Sequence, residues 1–174
     1  MKINHKIIKK LKPYEDRYEN FKKDYPDFNS DLKEFLYLDK ISYSDKAWLF
    51  VKLATKEQII KWNTMCTESI LDIFETEYPN DLRPRNALEA SEAYRLSPTE
   101  INRLVVATAA NDCLNLADTL LKARIETKYA HAAYAAAFTA FRSSYSTSHQ
   151  VINANTDTEK QQELNLMFML EAIS

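Results

Sequence analysis

The sequence predicts an all-α protein: a single-domain bundle of seven or eight helices around a central alanine-rich helix. Three observations lead there. The 174-residue chain contains no glycine. Its apolar residues recur at helical spacing between recognisable capping signals. Residues 130–140, AHAAYAAAFTA, hold seven alanines in eleven positions, and alanine is the strongest helix former and the residue that lets backbones approach most closely. Without glycine, only Asn and Asp remain to supply positive φ cheaply, so tight primed hairpin turns are disfavoured. The same absence excludes function classes. Glycine-rich phosphate loops, dinucleotide fingerprints and nucleophile elbows all need glycine where the backbone turns sharply or meets a ligand.

The elements follow from start and stop signals. A basic helix is expected over about residues 3–12, stopped by Pro13, then a second over 14–23. Pro26 interrupts, and a third helix is expected over 28–38, with Phe28, Leu32, Phe35 and Leu36 on one face. Residues 2–23 are net positive and residues 24–39 net negative, which suits attraction between neighbouring solvated faces. Ser44 is the expected cap of a short helix carrying Trp48, Leu49 and Val51. Thr55 and Gln58 have capping-box spacing and open a long helix ending near Tyr78, with Ile59, Trp62, Met65, Cys66, Ile70, Ile73 and Phe74 on its apolar side. Pro84 suits a first helical turn, so a new helix is expected near Arg83. Ser97, Pro98 and Glu100 signal the next start, for a helix running to about 125, and another follows to about 153. Thr156 and Glu159 box the last helix, which ends near Ile173.

Composition bounds the rest. With 45% hydrophobic and 28% charged residues and a net charge of −2, the chain can bury a core, and it has no basic excess to demand nucleic acid. No apolar run approaches the ~18 residues of a membrane span. The N-terminus MKINHKIIKK lacks the apolar core of a signal peptide, so a cytoplasmic protein with no membrane partner is expected. The lysines of HKIIKKLK read as an exposed helix face. Cys66 and Cys113 fall in apolar helical surroundings, where a thiol stays protonated and inert. Paired-cysteine and paired-histidine zinc spacings are absent, and no cofactor is implied.

Two constellations carry chemistry. Helical spacing places His131, Tyr134, Phe138, Arg142, Tyr145 and His149 near one stripe of the alanine helix. The stripe reads either as an aromatic core seam or as a pocket floor. His131 and His149 lie ~27 Å apart along a straight helix, so they share no metal ion. The second constellation is acidic. Asp72 and Glu75, and likewise Glu89 and Glu92, each fall on one helix face. A hairpin of these helices could gather oxygen ligands around Mg2+. The alternative function is therefore a Mg-dependent nucleotide hydrolase, similar to the all-α pyrophosphohydrolases but without their glutamate pair and closing aspartate. Solvated faces and ion pairs explain the same spacing.

The stretch IFETEYPNDLRPRNALEASEAY, residues 73–94, carries a family resemblance. Tyr78, Pro79, Asp81, Arg83, Pro84, Arg85, Ala87, Glu89 and Ala90 occur in the order seen in the Imm-five-like immunity proteins of bacterial toxin systems and their relatives in phage and bacterial genomes. The lead-in DKAWLFVKLATKEQIIKW and the alanine helix YAHAAYAAAFTAFRSSYSTSHQ resemble the same family, over about residues 45–153. Leu82, Asn86 and the missing glycines depart from it. The resemblance implies a non-catalytic protein that neutralises a toxin or defence effector by stoichiometric association. Its partner is then a protein effector; a homodimer stays open. The candidate partner- or ligand-binding residues are Asp81, Arg83, Arg85, Glu89, Arg142, Tyr145 and His149. For the two arginines there are two readings. Pro84 locks the turn while an arginine pairs with Glu89 or a neighbouring carboxylate, or the guanidiniums line a concave surface with His149 and receive an acidic group. In a third reading, Arg and His side chains sequester an anionic signal such as a nucleotide.

Overall fold

The computed structural model describes residues 2–144 and 159–174, with side chains described up to 140 and from 162. Among the described residues it is helical apart from one two-residue strand pair. Tyr145, His149, Thr156 and the expected helix beyond 144 lie outside the described residues, as does the side chain of Arg142.

The N-terminal elements are β1 (Ile3–Asn4), α1 (His5–Lys10), α2 (Glu15–Asp24), β2 (Asn29–Ser30), α3 (Leu32–Leu36) and α4 (Tyr43–Leu53). The strand pair corrects two expected helix starts. β1 and β2 run antiparallel, with Ile3 opposite Ser30 and Asn4 opposite Asn29. Asn4 then caps α1, accepting from the Ile7 N–H at 3.1 Å. Asp31 caps α3 through the Glu34 N–H at 3.0 Å. Short polar side chains that favour turns stop the helices from reaching back further. The cap of α4 is Ser42, not Ser44. Its Oγ accepts from the Asp45 N–H at 3.2 Å and donates to Asp45 Oδ2 at 2.6 Å, because three residues into the helix both the N–H and the carboxylate of Asp45 reach the Ser42 hydroxyl. Buried Ile3, Ile8, Tyr18, Phe21, Phe35 and Leu49 form the core of this part.

The long helices follow: α5 (Lys56–Glu77), α6 (Arg83–Leu96), α7 (Glu100–Lys122), α8 (Thr127–Ser144) and α9 (Glu159–Ala172). With α1–α4 they make nine described helices, against seven or eight expected. The Thr55–Gln58 box forms in both directions. Ser97 closes α6 by donating its N–H to the Ala93 carbonyl, and Thr99 caps α7 through the Asn102 N–H. Glu100 thus opens the helix and pairs with Arg103 at 2.6 Å instead of boxing the cap. α7 has the length and average hydropathy of a membrane-spanning helix, but here it packs against α6 and α8.

α8 packs against α5, α6 and α7. Ala130, Ala132, Ala133, Ala135, Ala136, Ala137 and Ala140 are all buried, none more than 4% exposed. The small residues therefore form the seam, as the composition implies. The bulky stripe does not: His131 is exposed, Phe138 is 46% exposed, and half-buried Tyr134 stacks on Phe138 and donates its hydroxyl to Asp118 of α7. α9 joins the two parts of the molecule. Met169 is fully buried among Leu36, Phe50 and Trp62, and the Trp62 indole donates to the Asn165 carbonyl at 3.1 Å.

Among the described residues two have positive φ, Lys12 at 57° and Arg124 at 56°. Both follow helix C-caps, where glycine usually stands. At the end of α7 the Arg124 N–H reaches the Leu121 carbonyl and the Ile125 N–H reaches the Leu120 carbonyl, each at 3.1 Å. This is a complete Schellman closure made without glycine. A Cβ in this region costs ~1–2 kcal/mol, part of which glycine returns through the unfolded state. Arg124→Gly is expected to raise the unfolding free energy by about 0.5–1 kcal/mol in urea denaturation, and Arg124→Val to lower it.

Candidate functional site

The α5–α6 hairpin is built around one carboxylate. Leu82 stands at the N-cap of α6 and has no side chain to offer. Asp81 substitutes, its Oδ1 accepting the Arg83 N–H at 3.2 Å. The same carboxylate receives the Arg83 guanidinium, Nε to Oδ1 at 2.8 Å and Nη2 to Oδ2 at 2.5 Å. The arginine's hydrogen bonds hold the Asp81 carboxyl below the usual carboxylate range despite partial burial. Behind the turn, Cys113 donates its thiol to the Arg83 carbonyl at 3.0 Å. Burial pushes that thiol up to about 12 and the Cys66 thiol higher still, so neither is a nucleophile at neutral pH.

Arg85 makes a fork-to-fork pair with Glu75 of α5, Nε to Oε1 at 2.8 Å and Nη2 to Oε2 at 2.7 Å. Of the two partners the sequence allowed, Glu89 and a neighbouring carboxylate, the structure takes the neighbour. Glu75 comes from the antiparallel helix across the turn, beyond the reach of helical spacing. Arg95 is held in the same way by Glu92, at 2.6 and 2.7 Å, and reaches Glu57 at 3.0 Å.

Between α5 and α6 lies a cleft of about 830 Å3, with Met65 and Leu88 in its lining and Arg85 and Arg95 among its charged residues. Both guanidiniums are already neutralised by carboxylates of this chain. Glu68 and Glu89 also line the cleft and carry no ion pair among the described residues. The Thr64 hydroxyl lines it too, buried and without a hydrogen-bond partner. The unused capacity is thus acidic, whereas the reading in which the arginines receive an acidic group needs open guanidinium forks. The four acids of the metal reading are not gathered. Asp72 is exposed, Glu75 and Glu92 are occupied by arginines, and among the described residues no group of three or more His, Cys, Asp or Glu could hold a metal ion.

The other flank of α6 carries a feature that sequence reasoning missed. Ile101, Leu104 and Val105 of α7 are 74%, 53% and 52% exposed. They line a groove of about 430 Å3 that Arg83, Asn86 and Asp112 also border. The signal was present in the spacing. Val106, Ala110, Cys113 and Ala117 occupy the buried face, so apolar residues at 101, 104 and 105 mark a second apolar face on the same helix.

A family model described as Imm-5 like putative immunity protein matches residues 50–152. The chain belongs to this family. No curated protein and no solved structure matches it. The cleft and the groove of this Imm-5 like protein both lie inside the matched residues, whereas α1–α3 and α9 lie outside them.

The pair geometry gives two expected outcomes. Arg85→Ala should lower the unfolding free energy by about 1 kcal/mol, a modest value because the pair is partly exposed, and Arg85→Lys should recover little of it, since lysine lacks the fork. Exchanging the charges, Arg85→Glu with Glu75→Arg, should restore most of the loss in urea denaturation. An exchange that restores nothing would assign the role to packing of the arginine stem. Secondly, Arg95 holds Glu92 below the usual carboxylate range. A depressed folded value stabilises the fold above the unfolded value and ceases to do so as pH falls through the folded one. The melting temperature should therefore drop on acidification through the carboxylate range, and Glu92→Gln should flatten that drop.

Proposed function

We propose that this Imm-5 like protein neutralises a bacterial toxin or defence effector by stoichiometric association, without catalysis, covering the effector's active surface with the flanks of α6. The observation that carries the reading is the exposed Ile101–Leu104–Val105 stripe inside the family-matched residues. Three large apolar side chains on one helix face, rimmed by Arg83, Asn86 and Asp112, have the anatomy of a protein interface: apolar centre, polar border. Inhibition by occlusion needs a surface and no reacting group, which agrees with thiols that are held protonated and arginines that are held by carboxylates. The cleft on the other flank of α6 adds Glu68 and Glu89 at the margin, where charge steers encounter and selects partners more than it adds affinity.

The test is co-expression with the effector gene found beside this one, followed by light scattering of the purified complex and a growth assay. A stable equimolar complex and rescued growth are expected. Leu104→Glu with Val105→Glu should lower the melting temperature only modestly, because both residues are already about half exposed. It should weaken the complex by tenfold or more, about 1.4 kcal/mol, and abolish rescue. An effector that binds the double variant as tightly as the parent sinks the assignment of this surface.

A further inference from the structure

The N-terminal part, outside the family-matched residues, contains a cavity of its own. It measures about 520 Å3 and is lined in part by Tyr18, Phe21, Phe35 and Trp48. Tyr18, Phe21 and Phe35 are at most 6% exposed and form its floor, while exposed Tyr14 and half-buried Ile41 and Trp48 form its accessible apolar walls. Besides the tyrosines, the polar lining is Lys12, which is exposed at the rim, Arg17, Ser44 and Asp45. Two of the charges cancel. Arg17 donates to Asp45 at 2.7 Å, and Asp45 also accepts from Ser42 at 2.6 Å, which leaves that carboxylate with little capacity for a ligand. Arg17 also lies over the Tyr14 ring, 5.4 Å from its centroid.

What remains is one-sided. The Lys12 ammonium has no ion pair, and the Trp48 indole N–H has no hydrogen bond, among the described residues. Both are donors, and one is a cation. Lys12 is also one of the two described residues with positive φ, held at the end of α1 just before Pro13. A non-glycine residue kept in this region marks a place where local strain is tolerated. A cavity of this size falls in the range of small-molecule sites, which combine apolar walls with a few polar groups that fix orientation.

We propose that this cavity binds a small organic carboxylate with an apolar body, its head group on Lys12 and Trp48 and its body against the accessible Tyr14, Ile41 and Trp48, above a floor of Tyr18, Phe21 and Phe35. The aromatic walls select the body and the two spare donors select the charge. The engaged Arg17–Asp45 pair leaves no free acid to favour a cation. This site is independent of the effector surface on α6, and its failure leaves that reading untouched.

Octanoate and 1-octanol, which share a tail and differ in head group, are the probes, titrated into the full chain by calorimetry. Octanoate should bind saturably with a stoichiometry of one, about tenfold or more tighter than octanol, as a hydrogen bond to a charged group supplies. Lys12→Gly removes the ammonium while relieving the positive φ, so the fold should be as stable as the parent or more so. Its octanoate affinity should fall to the octanol level. Lys12→Arg should retain the preference for octanoate, and Trp48→Phe should reduce it while leaving octanol binding in place. The proposal is overturned by the absence of saturable octanoate binding, by octanol binding as well as octanoate, or by Lys12→Gly binding octanoate like the parent.

Discussion

The constraint on which this structure depends is the alanine face of α8. A helix that packs against three others at once has no room for large side chains on the shared side. Seven alanines at 4% exposure or less meet that condition. Alanine buries little area, so the bulk of the bundle's hydrophobic burial falls to the neighbours: Leu71 and Phe74 of α5, Leu88 of α6, Leu116 and Leu120 of α7. Among the described residues the seam also holds polar contacts, Thr67 to Thr139 at 2.9 Å and Thr67 to the Ala135 carbonyl at 3.5 Å, which give partners to two buried hydroxyls. The aromatic residues of α8 are displaced to its outer side, where Tyr134 and Phe138 stack at the surface. Close approach around α8 leaves α6 with an open flank toward α5 and another toward α7, and those flanks are the cleft and the groove.

Electrostatics on these flanks is settled by geometry inside the chain before any partner arrives. Arg83 is held by Asp81, Arg85 by Glu75, and Arg95 by Glu92 and Glu57. The pairs staple the turn and join α5 to α6. A guanidinium already bound at both arms gains little from a further carboxylate, because the first partner must be released and resolvated. The surface therefore presents apolar side chains and, without an ion pair among the described residues, Glu68 and Glu89 rather than arginine. A sequence rich in arginine at a conspicuous turn thus folds into a surface whose spare charge is negative.

What was legible in the sequence is local. The Thr55–Gln58 box, the proline in the first turn of α6, the alanine helix and the inert thiols all depend on residues within one helical turn or on composition, and all appear as expected. The starts of α4 and α7 moved by two residues, to Ser42 and Thr99, because each region offers two hydroxyls and the choice rests on which one fits the following turn. The β1–β2 pair, the Arg85–Glu75 fork and the exposed face of α7 were not legible, since each depends on where a distant segment arrives. Periodicity shows that α7 has apolar faces and leaves open which of them another helix will cover.

The absence of glycine links these observations. A chain without it must close its helices by other means, and two cationic residues, Lys12 and Arg124, take the left-handed positions. At Arg124 the strain is offset by a complete set of closing hydrogen bonds. At Lys12 the second bond is missing, because the next residue is Pro13 and has no N–H to give. Lys12 keeps a single closing bond, to the Lys9 carbonyl at 3.2 Å, and a strained backbone beside an aromatic cavity. The burial of Ile8, Tyr18, Phe21 and Phe35 around it holds that conformation in place. The apolar core of the N-terminal part thus does two jobs at once: it over-determines a backbone that would otherwise relax, and it floors the cavity whose rim carries the exposed Lys12.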